Sequence, residues 1–445
     1  MHHTRAGLQP RRAMTSLARA CFASLGIAAF GLLIAPGQAL AQGAAAPASS
    51  SIDTTLDAGE ADAVAPKRRL VKWNEYDGPI SSARFGYGFV YDIASYTQDD
   101  ASRQQVSMPT DHGLRDFRLL LKGRFKTQRG LSWTLGYMYD GTDEAWHFRQ
   151  TGFQVDVPEV SGRFFVGRTK EGYSQAKVMV GYYIFSVERA QTLDAFIPIL
   201  ADGIKYMGYY PRQRLFLNLG YFTDGFSAQS EKEKFALYDN QAVVRLGWQP
   251  ILSEAEHKVL HVALMARNTT PDEGKIRLKS KPGAWLAPNF IDTGTLAADR
   301  SHTYGIEANY RSGSWLFASE YDWQDLELTG GGKPMFHGGE VTASWIITGE
   351  VRPYNAVGGF YNQVTPKRSV FEGGRGALET TFGFTYNDFA EGSIDGGKFW
   401  RFTPMARWYL SEYISFVGAY GYGELDRFGL KGRTQFFQAR FVTIL

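Results

Sequence analysis

The chain has 445 residues, and 48 Lys and Arg against 45 Asp and Glu leave a formal net charge of only +3, so any charge selectivity must come from local placement. Aromatics make up 15% of it, Gly numbers 49 and mean hydropathy is −0.27, a mix that suits membrane strands alternating polar-in with apolar-out. Its one cysteine, Cys21, excludes an internal disulfide and a cysteine metal site.

At the N-terminus Arg11 and Arg12 precede an apolar run over 22–35, and Ala39-Leu40-Ala41 is a small-x-small cleavage site. Residues 1–41 therefore read as a Sec signal peptide, the run being shorter than the roughly 18 residues a membrane anchor needs. Cys21 falls inside it, so the mature chain carries no thiol. Residues 42–68 are small and polar, with Pro47 and Pro66, and read as a flexible periplasmic leader before Lys67-Arg68-Arg69.

From 69 to 445 the chain reads as one domain. After Ser82, alternating segments of strand length recur between Gly/Asp/Asn/Pro-rich turns: 118–125, 131–139, 215–222, 242–248, 259–267, 302–310, 314–321, 340–347, 377–386, 402–410 and 414–422. Each suits a tilted membrane strand of ~9–11 residues. Between the fifth and sixth lies Lys275-Ile276-Arg277-Leu278-Lys279-Ser280-Lys281. If extended, it projects Lys275, Arg277, Lys279 and Lys281 from one face. No carboxylate alternates with them, so the row makes sense as a track for a moving anion. An extracellular basic loop binding acidic polysaccharide is the competing reading. The final segment, 434–445, sets Phe437, Ala439, Phe441, Thr443 and Leu445 on one face and Gln438 and Arg440 on the other, as a closing strand would. The fold class that follows is all-β, a transmembrane antiparallel barrel in the outer membrane of a Gram-negative cell, in contact with its lipid.

Two blocks then carry a resemblance. The first is Gly167-Arg168-Thr169-Lys170-Glu171-Gly172-Tyr173-Ser174 with Lys177 and Glu188-Arg189-Ala190. The second is Trp345-Ile346-Ile347-Thr348-Gly349-Glu350-Val351-Arg352-Pro353-Tyr354, followed by Val364-Thr365-Pro366, Gly376-Ala377-Leu378-Glu379 and Trp408-Tyr409-Leu410. From Ser82 to Leu445 the sequence resembles the phosphate-selective porin O and P family. The resemblance implies about sixteen strands, a homotrimer, an inward-folded constriction loop and a basic ladder leading anions to it. It implies that Lys177 and Arg189 coordinate the anion, that the first carboxylate of Asp143-Glu144-Ala145 faces the same site, and that Lys275, Arg277, Lys279 and Lys281 are the ladder. Two family ligands are missing: Val180-Gly181 stands where the family has a serine pair, and Gly88 where it has an arginine on the first strand.

Inorganic phosphate or a similar oxyanion in a narrow pore needs fixed donors and positive charge in place of water. Asp143 would accept the proton that phosphate, unlike sulfate, still carries. The same residues have plainer readings: Lys177 a snorkelling cation, Arg189 an ion pair with Glu188, Asp143 a strand-end charge, and Arg115, Arg118, Arg124 and Lys126 wall-lining charges. No zinc helix, nucleophile elbow, P-loop or dinucleotide fingerprint occurs, and the basic residues lack interleaved aromatics. The reading is thus not an enzyme, with no cofactor, no metal and no nucleic-acid partner. Its alternatives are a porin for pyrophosphate or an organic acid, a structural or surface-interaction barrel, and a secreted all-β carbohydrate-active enzyme.

Overall fold

Strand after strand places large apolar side chains at every second position and polar ones between, and the fold uses both faces. The computed structural model describes residues 72–223 and 238–445. The signal peptide and leader expected at 1–41 and 42–68 lie outside the described residues. Among those described, sixteen long strands each pair antiparallel with their sequence neighbours. They are β1 (Ser81–Gln98), β2 (Asp111–Phe125), β3 (Leu131–Asp140), β4 (Ala145–Val157), β5 (Gly162–Thr169), β6 (Ala201–Tyr210), β7 (Leu215–Thr223) and β8 (Tyr238–Ser253). The second half comprises β9 (Lys258–Pro271), β10 (Leu296–Ser312), β11 (Trp315–Leu328), β12 (Met335–Ile346), β13 (Ala377–Glu391), β14 (Ile394–Tyr409), β15 (Ile414–Arg427) and β16 (Leu430–Ile444). Pairing of β1 with β16, from Gly88↔Ile444 to Gln98↔Thr434, closes the barrel and leaves no sheet edge in lipid.

Phe317, Val341, Phe382, Phe416 and Phe437 stand exposed on the outer wall, while Arg245, Arg267, Glu307 and Gln324 are buried on the inner one. Trp315 and Trp345, cross-strand partners, stack with ring centroids 5.0 Å apart, as in an interfacial girdle. One end of the barrel has short turns, such as 158–161 and 211–214, and the other has most of the long connections. Short turns mark the periplasmic end of such barrels.

Three connections fold into the lumen. Residues 170–200 and 272–295 enter from the long-loop end; 347–376 enters from the short-turn end. Their apolar side chains build the interior: Tyr173, Leu193, Phe196, Leu278 and Phe290 join one buried cluster, Tyr182, Tyr354, Phe360 and Tyr361 another. A barrel lumen filled this way leaves water only where polar side chains hold it open.

Candidate functional site

Residues 275–281 alternate as an extended chain must. Ile276, Leu278 and Ser280 are buried, whereas Lys275, Arg277 and Lys279 are exposed and Lys281 half-buried. Ile276 and Leu278 share their apolar cluster with Phe290, Phe399 and Phe436, so the loop lies greasy side down against the inner wall. The four cations thus occupy one face. Two of them meet carboxylates of the same loop. Arg277 donates two hydrogen bonds to Asp292 (2.8 and 2.6 Å), and Lys275 lies 3.5 Å from Glu273. Arg277 holds the Asp292 carboxyl below its ordinary range. Lys279 has no ion pair among the described residues. Lys281 donates to the Trp285 carbonyl, and burial, with Arg115 adding to it, pushes its ammonium down.

The 170–200 segment is tied to the wall on several sides. Glu171 meets Arg267 of β9 at 2.8 Å, Gln175 N–H donates to Glu307 of β10 at 2.6 Å, and Tyr173 O–H to Asp322 of β11 at 2.9 Å. Glu188 accepts from Arg440 of β16 and from Arg115 of β2 (3.2 Å). Burial alone would raise its carboxyl; Arg115 and Arg440 outweigh that and hold it far below the usual range. The segment therefore crosses the lumen as a fixed beam.

On that beam Lys177 lies in a short helix, Gln175–Val178, capped by Ser174. It is buried and donates to Asp194 at 2.9 Å. Burial pushes the ammonium down, Asp194 opposes this, and Arg189 is close enough to add repulsion. Arg189 is half-exposed and donates to the carbonyls of Ala176 (2.7 Å) and Met179 (2.9 Å), so its guanidinium caps the same helix. Glu188 turns away from Arg189, toward Arg115 and Arg440. Asp143 lies in the turn before β4. Residues 141–144 form a turn, with positive φ at Glu144, and Asp143 accepts from Ala145 N–H and contacts His147 at 2.7 Å.

The missing ligands have structural consequences. Gly88 of β1 leaves space that the Tyr182 ring fills; a Cβ there would lie 2.6 Å from it. Tyr182 donates to Asp116, and the Arg118 guanidinium sits 4.3 Å over its ring. Arg118 is the register partner of Gly88 on the next strand. A Cβ on Gly181 would lie 3.6 Å from both terminal nitrogens of Arg189 and 3.9 Å from one of Arg118. The two guanidiniums thus converge on one backbone point, with nitrogens no more than about 7.5 Å apart when the two reaches are laid end to end. Arg118 Nη2 already donates to Asp116 at 2.9 Å and Arg189 to two carbonyls, so an oxyanion there would use the remaining N–H groups of the two forks. Arg118 was legible only as a wall charge, because its position beside Gly181 depends on cross-strand register and on the loop above it.

The 347–376 segment is the largest feature that sequence reasoning did not place. Arg352 makes two 2.6 Å bonds to Glu379 and donates to the Tyr183 carbonyl at 3.1 Å, while Gln175 donates to the Gly359 carbonyl at 3.2 Å. The beam and this lower segment therefore brace each other. A thirty-residue connection at the short-turn end is the signal that could have revealed it.

A family model described as phosphate-selective porin O and P matches residues 86–440. An uncharacterized protein of Caulobacter vibrioides is 33% identical over 204 residues, 45% of this chain and 39% of that relative, so the match spans about two fifths of the relative's length. The outer membrane channel DcaP of Acinetobacter baumannii superposes with a TM-score of 0.53 at 8% identity, over 83% of this chain and 99% of that one. In-vitro folded OmpT of Vibrio cholerae, in its trimer form, gives 0.50 at 11% identity, over 82% and 99%. At such identities the structures share a fold with this chain and no more.

Proposed function

Since the chain belongs to the phosphate-selective porin O and P family and forms an outer-membrane barrel channel, we propose that it passes anions passively, phosphate or a related oxyanion, down the 275–281 ladder to the Arg189–Arg118 pair. The observation that carries this is the alternation along 275–281, apolar residues against the wall and cations toward water. Lysines and one paired arginine spaced along an extended chain give several moderate sites in series, which an ion can leave as well as enter. At the beam the anion meets two planar forks, with the Lys177 charge behind them. Three such channels assemble as a homotrimer. Asp143, which accepts from Ala145 N–H and contacts His147, orients the 141–144 turn in this reading.

The aromatic filling at Tyr182 and the absent hydroxyls at Val180-Gly181 favour a second reading, an organic or polyphosphate anion that needs fewer ligands per oxygen. Titration of chloride current in planar bilayers with inorganic phosphate, pyrophosphate and a dicarboxylate separates the two. Saturable block by phosphate that weakens at least about tenfold in Arg189→Gln supports the first. Block confined to the organic or polyphosphate anions moves the assignment to the second, and block that ignores Arg189 removes both.

A further inference from the structure

Arg401 on β14 is 3% exposed and points into the lumen beneath the basic loop. Its guanidinium donates to the Pro282 carbonyl (2.7 Å) and to Gln438 Oε1 (2.6 Å), and lies 4.3 Å over the Phe436 ring. Four other buried arginines of the lumen have carboxylates: Arg245 has Glu307, Arg267 has Glu171, Arg352 has Glu379 and Arg440 has Asp92, while Arg407 donates to the Tyr182 carbonyl. No carboxylate forms an ion pair with Arg401 among the described residues. Two glycines make its seat. A Cβ on Gly421 would lie 2.3 Å from Nε, and one on Gly283, where φ is +75°, 3.1 Å from Nη1. Burying a cation without a counter-ion is costly, and a neutral donor would hold the same carbonyl without that cost. The charge itself must therefore do something.

We infer that Arg401 is a specificity-determining residue, an uncompensated cation set behind the ladder that fixes the loop through Pro282 and adds its field to the anion path. The inference rests on the anion-channel reading above. In the low-dielectric wall its field is screened less than that of the exposed rungs, so its influence survives at salt concentrations that silence them. The neutral amide of Gln438, which also donates to the Gly283 carbonyl at 3.2 Å, is what leaves the charge unspent.

The test compares reversal potentials of the assembled channel in a salt gradient for the parent, Arg401→Gln, Arg401→Lys and Gln438→Glu. Gln438→Glu keeps an oxygen at the guanidinium but supplies the missing counter-charge, so it reads the charge even if Arg401→Gln does not assemble. Expected is a fall of roughly threefold in the anion-to-cation permeability ratio for Gln438→Glu and for assembled Arg401→Gln, with Arg401→Lys near the parent. An unchanged ratio in Gln438→Glu overturns the inference, as does an equal loss in Arg401→Lys and Arg401→Gln, which would make the role purely structural. A parent without anion preference refutes the channel reading instead, and so the two failures are distinct.

Discussion

Lys279 is the ladder rung the structure leaves most open, exposed and without an ion pair among the described residues. Its register partner is Asp292, so the informative substitution is Lys279→Gln; a glutamate would set two carboxylates opposite each other. An anion in contact at about 4 Å gains about 1 kcal/mol from a unit charge in water, equal to roughly fivefold in local occupancy. The neighbouring rungs, about 7 Å away along an extended chain, contribute about 0.6 kcal/mol each in parent and variant alike, so they leave the loss uncompensated. At 0.1 M salt, with a Debye length of about 10 Å, screening trims this loss to about 0.7 kcal/mol, so Lys279→Gln should slow the phosphate association that forms the blocked state roughly threefold and shift the reversal potential toward zero. At 1 M salt, with a screening length of about 3 Å, the difference should vanish. Lys333→Gln, which removes an exposed cation paired with Glu327, is the control and should change neither. Equal association rates for the parent and Lys279→Gln at 0.1 M would refute the ladder as a path.

Other consequences follow from the beam. Gly181→Ser places its Cβ at ordinary contact distance from Arg189 and Arg118 and adds a donor between them, so half-maximal phosphate block should fall several-fold, by about 1 kcal/mol; no change would mean the anion does not pause there. Gly88→Ala pushes the Tyr182 ring from its seat and breaks its bond to Asp116, at a cost of about 1–3 kcal/mol; urea titration of the heat-modifiable band should show it, and parent-like stability would contradict the packing. Glu188 has a depressed carboxyl pKa, so its stabilisation is present in full above the ordinary value of 4.5 and is lost progressively as pH falls from there through the lower folded value, where the folded carboxylate itself takes up its proton. Single-channel conductance in chloride should therefore show no step near pH 4.5, and a step there would place Glu188 outside the Arg115–Arg440 grip.

The strands were legible where period two ran unbroken: the segments expected around 118–125, 259–267 and 377–386 all lie within longer strands. β4 to β6 were not. In β4 a bulge buries Arg149 and Gln150 in succession, which breaks the alternation, β5 has only eight residues, and β6 buries Lys205, whose ammonium donates to Thr169 and the Lys170 carbonyl. The ladder face was readable because extended geometry alone fixes which side chains share a side. Its counter-charges were not, since Asp292 is fifteen residues from Arg277 and meets it only once the loop doubles back. Lys177 and Arg189 lie close enough to repel, but the partner that occupies Lys177, Asp194, belongs to the next helix of the same segment, Gln191–Phe196, which no spacing rule from Gly167 contains. Arg118 and Arg401 owe their positions to register and to glycines on other strands, information no local pattern contains.

The most direct test of the central claim is the zero-current potential of the purified parent protein across a planar bilayer under a tenfold potassium chloride gradient. Cations lining the lumen along 275–281 require the sign that marks chloride as the preferred carrier, with the magnitude shrinking as total salt rises. A potential of the opposite sign, or none, would contradict the assignment of that row of side chains to the conduction path.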